Sequence, residues 1–281
     1  SQRIQLGTSV PLLILAILAV IQGITEFLPI SSSGHLLLFP TLTGEQDQGL
    51  AIDVAVHVGT LAAVMLYFRA DVAAVLRGAL DFAAGRRETA EARLTWLLAI
   101  ASVPVVIAGV ASAMTGFNDA MRGEGVAIWV VAVTTLVWGA ALWAADMLLP
   151  QRRGFWGWRL SDALLMGLAQ AVALIPGTSR SGITMTAGRA LGFDRVDAAR
   201  LSMLMSIPAI GAAGTWLLVK LIRDGDAALG LDAAIGAALA FVSALAALTV
   251  MMRMLRTWSF TPFVLYRFAL GALLLWIAVQ G

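Results

Sequence analysis

Two long apolar stretches of this 281-residue chain are broken in the middle by short polar segments. Val10 to Leu38 is interrupted at Pro29-Ile30-Ser31-Ser32-Ser33-Gly34, and Leu160 to Ala190 at Pro176-Gly177-Thr178-Ser179-Arg180-Ser181-Gly182. Neither half of either stretch comfortably crosses ~30 Å of hydrocarbon as a helix. Polar, non-helical backbone at membrane depth is tolerated only where protein or a water-filled cavity surrounds it, so both stretches read as re-entrant or broken helical hairpins. Six uninterrupted runs accompany them: Ile52 to Phe68, Leu94 to Met114, Val126 to Met147, Leu201 to Ile222, Leu231 to Met252 and Phe263 to Val279. Each is long enough to span a bilayer. With 60% hydrophobic and 13% charged residues the chain carries about half the charge of an ordinary soluble domain. The expected fold is all-α, a polytopic integral membrane protein forming one membrane domain over 1–281. Val10 to Val20 has the length of a signal-peptide core, but no small-residue cleavage site follows, so it is read as part of the fold.

Charge orients the segments. Arg69, Arg77, Arg86, Arg87 and Arg93 fall in one connection, Arg152, Arg153 and Arg159 in a second, and Arg253 and Arg256 in a third, which places these three in the cytoplasm. The links Gly44 to Asp53, Gly116 to Gly125 and Arg223 to Gly230 then face outward. Six spans satisfy this only if the two broken segments enter from opposite sides, each followed by three spans of opposite direction. That is an inverted repeat, 10–149 against 160–281. A sequence trace agrees: Pro29-x-Ser-Ser-Ser-Gly and Pro176-x-Thr-Ser-Arg-Ser-Gly lie about 147 residues apart. Breaks entering from opposite faces meet near the midplane, where such folds hold small polar ligands.

Several chemistries are excluded at once. The chain has no cysteine and only two histidines, His35 and His57, so thiolate chemistry and a multi-histidine zinc site are set aside. A net charge of +2, scattered along the chain, makes no nucleic-acid footprint. The remaining chemistry concentrates at the breaks. Gln22 and Glu26 stand one helical turn apart on a helix that Pro29 ends, and both can offer oxygen to a hard cation such as Mg²⁺ or Ca²⁺ shared with a phosphate. Ser31, Ser32 and Ser33 put hydroxyls and amides at a new helix start, an anion-binding arrangement or a plain cap, with Ser32 one turn before His35. Arg180 at membrane depth demands an anionic partner. A phosphate or diphosphate accepts its planar fork, with Thr178, Ser179, Ser181 and Thr184 adding hydroxyls; the competing partner is Glu26 in a structural ion pair. Asp53 and His57 line the site or merely pack a helix. Pro104 and Pro208 kink their helices, the glycines of the spans mark close packing, and Trp129, Trp138, Trp143, Trp156, Trp158, Trp258 and Trp276 are expected at the interface or facing lipid.

Gln22-Gly-Ile-Thr-Glu26-Phe-Leu-Pro29-Ile-Ser-Ser-Ser-Gly-His35 and Pro176-Gly-Thr-Ser-Arg-Ser-Gly-Ile-Thr184 resemble the two signature motifs of the bacterial undecaprenyl-diphosphate phosphatases, also called bacitracin-resistance proteins. Ile52-Asp-Val-Ala-Val-His57-Val-Gly-Thr60 resembles a third block, so the similarity runs through essentially the whole chain. The resemblance implies a multi-pass enzyme of the bacterial plasma (inner) membrane. It would remove one phosphate from the C55 isoprenoid diphosphate at a site opening to the outer, periplasmic face, regenerating the monophosphate carrier lipid for envelope polymers and conferring bacitracin resistance. It implies a divalent cation, Mg²⁺ or Ca²⁺, and carries Gln22 and Glu26 onto the acidic motif, Ser32 and His35 onto a Ser-x-x-His element, and Ser179, Arg180 and Thr184 onto the second motif. Gln22 cannot act as a general base, which leaves carboxylate chemistry to Glu26. The attacking group is Ser32, His35 or metal-bound water. The expected partners are the polyprenyl diphosphate and membrane lipid, with no nucleic acid, and a homodimer is an open association. An inverted-repeat transporter or lipid flippase would gather the same polar breaks.

Overall fold

The computed structural model describes residues 12–43, 50–121, 123, 125–223 and 231–280. These form a helical bundle, with no strand among the described residues. The start of the first apolar stretch, and much of the links Gly44 to Asp53 and Arg223 to Gly230, lie outside the described residues.

The first interrupted stretch becomes α1 (Leu12–Phe27) and α2 (Ser32–Thr43), the second α8 (Leu160–Val172) and α9 (Arg180–Ala190). Between them run α3 (Leu50–Tyr67), α4 (Arg69–Ala83), α5 (Ala90–Thr115), α6 (Phe117–Met121) and α7 (Val126–Leu148); α10 (Arg195–Arg223), α11 (Leu231–Met254) and α12 (Thr261–Gln280) complete the chain. Each of the six long apolar runs is helical. α5, α7, α10, α11 and α12 are long and apolar enough to cross a membrane. The pair α3 and α4, bent by 88° where they meet, is long and apolar enough for a sixth when taken together. At 16 and 13 residues, α1 and α8 rise ~24 and ~20 Å, short of a crossing.

Close helix contacts set the frame. α11 packs on α1 and α3, α5 on α4 and α8, α7 on α12, and α9 lies against α7, α8 and α10. Glycine makes the tightest approaches possible: a Cβ at Gly59 would come 2.2 Å from the Ala237 carbonyl oxygen of α11, and one at Gly167 2.5 Å from the Ala101 carbonyl oxygen of α5. Ala63, Leu98, Met166, Leu204 and Leu248 fill the principal core.

Within the connection that carries Arg69 to Arg93, Arg69 and Arg77 lie on α4 and Arg86 and Arg87 on the exposed turn after it. Asp71 pairs with Arg200 of α10, whose guanidinium lies 3.8 Å over the Phe155 ring, and so ties down the start of α4. Its alternating charge and apolar positions suit a helix lying across the end of the bundle. Trp158 is not interfacial but buried, packed in the principal core behind a 3₁₀ turn at Phe155–Gly157. Trp129, Trp143, Trp156, Trp258 and Trp276 are exposed, as expected of interfacial residues, and Trp138 is half-buried. At the same end Asp146 is fully buried and receives Arg189 at 2.9 Å, Arg195 at 2.8 Å and the Phe260 amide at 3.0 Å.

Candidate active site

Both breaks are built by the same backbone device. Ser31 and Ser179 adopt left-handed φ angles of 73° and 68°, a conformation that costs a non-glycine residue of order 1–3 kcal/mol and persists only where neighbours enforce it. Each serine lies directly before or at the start of a new helix, and each hydroxyl meets that of the serine two residues on, Ser31 to Ser33 at 3.1 Å and Ser179 to Ser181 at 3.2 Å. Ser179 also caps α9, accepting from the Gly182 amide at 3.1 Å.

The breaks are locked to each other by reciprocal bonds. The Gly177 amide donates to Ser33 Oγ at 2.8 Å, and Ser181 Oγ donates to the Leu28 carbonyl at 3.0 Å. Gly177 has φ 84°, and a Cβ there would lie 2.1 Å from Thr134 Oγ1, so only glycine fits between the second break and α7.

Glu26 and Arg180 meet at this crossing. Arg180 Nη2 donates to Glu26 Oε1 at 3.0 Å, and Gln22 Nε2 donates to Glu26 Oε2 at 2.8 Å. The side chains of the ion pair retain only 15% and 11% of their exposure. On either side of this bridge one polar atom is buried without a protein partner: Arg180 Nη1, a donor only, and Gln22 Oε1, an acceptor only. A buried polar group left in this way carries a desolvation cost of about 1–3 kcal/mol, more when charged. An anion satisfies the first and a cation the second. Among the described residues no three of His, Asp and Glu gather as a metal cluster, so a cation held here would need oxygens from a ligand beside those of Glu26 and Gln22 Oε1.

Other candidate residues divide in their surroundings. Ser32, the first residue of α2, is half-buried beside the crossing. The hydroxyls of Ser33 and Ser181 bind the opposite break, as described. Thr184 is fully buried and directs its hydroxyl to Arg180 O at 2.8 Å and Ser202 Oγ at 2.6 Å, into the packing of α9 on α10. Thr178 is fully buried, with its hydroxyl lacking a protein partner. His35 lies one turn after Ser32, yet its bonds go elsewhere: Nδ1 to the Ser31 carbonyl at 2.7 Å and Nε2 to the Tyr266 hydroxyl at 2.6 Å. His57 turns its Nδ1 to the Asp53 carbonyl of its own helix at 2.7 Å.

Two residues of α12 belong to the site that sequence reasoning did not single out. Arg267 is fully buried, and its guanidinium donates to five carbonyls: Pro29 at 3.3 Å from the first break, Gly177 at 3.3 Å and Thr178 at 3.1 Å from the second, and Thr134 at 3.4 Å and Thr135 at 3.0 Å from α7. One side chain thus holds both breaks against α7. A lone arginine inside the run Phe263 to Val279 was the available signal, since ionisable groups within spans are functional by default. Tyr266, its neighbour, stacks on His35 with ring centroids 5.5 Å apart and planes within 5°. Beside this pair opens a groove of about 490 Å³ between α1 and α12, walled by Ile21, Ile24, Leu28, Ile30 and Phe263.

Comparison with known proteins gives a consistent result. The family model of bacitracin resistance protein BacA matches residues 15–273. A protein of Dinoroseobacter shibae named undecaprenyl-diphosphatase is 56% identical over 264 residues, covering 94% of this chain and 97% of its own. Proteins of the same name from Ruegeria pomeroyi, 56% identical over 264 residues with the same coverage, and Maricaulis maris, 46% identical over 269 residues covering 94% of this chain and 98% of its own, are similar along their whole length.

Proposed function

The chain belongs to the family of bacitracin resistance protein BacA, and on that footing we propose that it is an undecaprenyl-diphosphatase whose active site is the crossing of the two breaks. It is a multi-pass membrane hydrolase acting on a polyprenyl diphosphate. Its setting is the bacterial inner membrane, with the site open to the periplasmic side and the two halves arranged as an inverted repeat. The arginine-rich connections at one end of the chain's topology support that orientation.

One observation carries the site assignment: a partnerless donor on Arg180 and a partnerless acceptor on Gln22 flank a single carboxylate, Glu26. In this reading the terminal phosphate takes Arg180 Nη1, and the positive ends of α2 and α9 add to the field that holds it. Glu26 and Gln22 Oε1 would hold Mg²⁺ or Ca²⁺, which supplies neutralising charge to the diphosphate. Ser32, at the start of α2, would attack phosphorus directly or orient a water that does. His35 takes the proton. Phosphoryl transfer needs chiefly positioning and charge stabilisation, which this set provides without a further covalent apparatus. The groove beside His35 suits the first isoprene units of the lipid, bringing the headgroup in laterally from the bilayer.

Phosphate release from undecaprenyl diphosphate by purified protein in detergent tests this reading, because hydrolysis needs no compartments and transport does. Chelation with EDTA should stop release and added Mg²⁺ or Ca²⁺ restore it. Arg180→Ala and Glu26→Ala should each lower release at least ~100-fold, the scale of losing one preorganised charge contact in such a site. Full activity in either variant removes the assignment.

A further inference from the structure

We infer that Tyr266 is the hydroxyl through which His35 exchanges its proton, a role that rests on the phosphatase reading above. The Ser31 carbonyl can only accept, so the 2.7 Å bond to it fixes the proton of the neutral imidazole on Nδ1. Nε2 then carries the lone pair, the sole place where His35 takes up a proton. Tyr266 OH stands 2.6 Å from that nitrogen and donates to it. The base end of His35 is therefore turned to α12 and capped by a phenol, and while that bond stands a proton reaches it by way of that oxygen.

The step balances without any other reactant. The attacking group gives its proton to the Tyr266 oxygen as the Tyr266 hydroxyl proton passes to Nε2; the phenol ends with one proton, as it began, and the imidazole becomes imidazolium. Two further features suit Tyr266 to this. Stacking within 5° of parallel holds the two rings in fixed relation, so the hydroxyl does not wander from Nε2. The tyrosine is 46% exposed, and it borders the same apolar groove as His35, so a phosphate carried on a chain lying in that groove arrives on the hydroxyl's side of the imidazole. α12 anchors the arrangement from behind, because the adjacent Arg267 is tied to both breaks.

Tyr266→Phe keeps the ring and its stacking and removes one oxygen, so it separates proton transfer from packing. With undecaprenyl diphosphate and the full-length protein, kcat should fall about 10-fold or more, toward the scale of general acid–base assistance. KM should stay within about twofold, as for a contact made in the transition state alone. In a His35→Asn background, read as slow phosphate release over long incubation, the same substitution should cost nothing further, since both act in one step. Wild-type kcat in Tyr266→Phe overturns the inference, and so does an equal loss with and without His35. Either result leaves the phosphatase reading standing, whereas an inactive wild-type protein, or an active Arg180→Ala, removes that reading first.

Discussion

At the first break a left-handed serine leads into α2, and at the second a left-handed serine leads into α9, 148 residues later. In that register Gln22 aligns with Gln170, Ser33 with Ser181 and Gly34 with Gly182, whereas Glu26 aligns with Leu174, Ser32 with Arg180 and His35 with Ile183. The positions that shape the crossover agree in both breaks, and those that carry charge or a proton occur in one break only. Physics favours that division. A second carboxylate or a second guanidinium brought to the crossing by symmetry would set like charges a few ångströms apart where water is scarce, at a cost of several kcal/mol. An acid from one break and an arginine from the other attract instead, and the same pair presents both signs to a headgroup and its cation. The breaks differ by one residue between proline and serine, Ile30 in the first against Gly177 and Thr178 in the second; that extra residue supplies the amide that reaches Ser33.

The strongest way to break the comparison is to remove what both breaks share. Arg267→Met takes one donor from five carbonyls; Thr134 and Thr135 keep their places in the α7 helix and Gly177 keeps the Thr135 hydroxyl, but Pro29 and Thr178 lose their donor, and each buried polar group left without its bond costs about 1–3 kcal/mol. The variant should lose about 3 kcal/mol or more of stability, read as a large fall in thermal unfolding temperature in detergent, together with phosphate release. An unchanged transition would mean the breaks hold each other without it.

A smaller effect distinguishes the two turns. Ser31→Ala removes one hydroxyl contact, to Ser33, and should cost about 1 kcal/mol. Ser179→Ala removes the contact to Ser181 and also the cap on the Gly182 amide, worth a further ~0.5–2 kcal/mol. Thermal unfolding should therefore rank Ser179→Ala below Ser31→Ala. The reverse order would show that the two turns do not bear load in the way their bonds indicate.

How much of this could be read in the sequence follows from what each feature depends on. The spans were legible because length and apolarity alone decide them, and the breaks because proline, glycine and three or more hydroxyl residues have no business within an ordinary span. The meeting of Glu26 with Arg180 was legible because Glu26 is the lone carboxylate of the first stretch and Arg180 the lone charge within the polar break of the second. Arg267 was not, although it is equally alone, because its partners are backbone carbonyls, which leave no mark on residue identity. The same applies to His35: its spacing to Ser32 was visible, but the hydroxyl that it meets comes from a helix 231 residues away and depends on how α12 packs. Trp158 was hidden by a local turn that tucks it into the core.

The finest test uses the two glutamines, which occupy equivalent places with unequal duties. Gln170 is fully buried and neither amide atom has a protein partner, while Gln22 binds Glu26 through Nε2 and leaves only Oε1 open. Methionine matches glutamine in length and carries no strong polar atom, so Gln170→Met exchanges two unsatisfied groups for apolar contact. Unfolding should be unchanged or shifted upward by no more than about 1 kcal/mol, with phosphate release intact. Gln22→Met should behave differently. Glu26 keeps its bond to Arg180 but loses its amide donor, and the proposed cation would lose an oxygen, so the Mg²⁺ concentration giving half-maximal release should rise on the order of 10-fold, the scale of losing one supporting contact at a metal site. If the two variants respond alike to a Mg²⁺ titration, the equivalence of the breaks extends to their chemistry, and the assignment of the cation to the first break alone is lost.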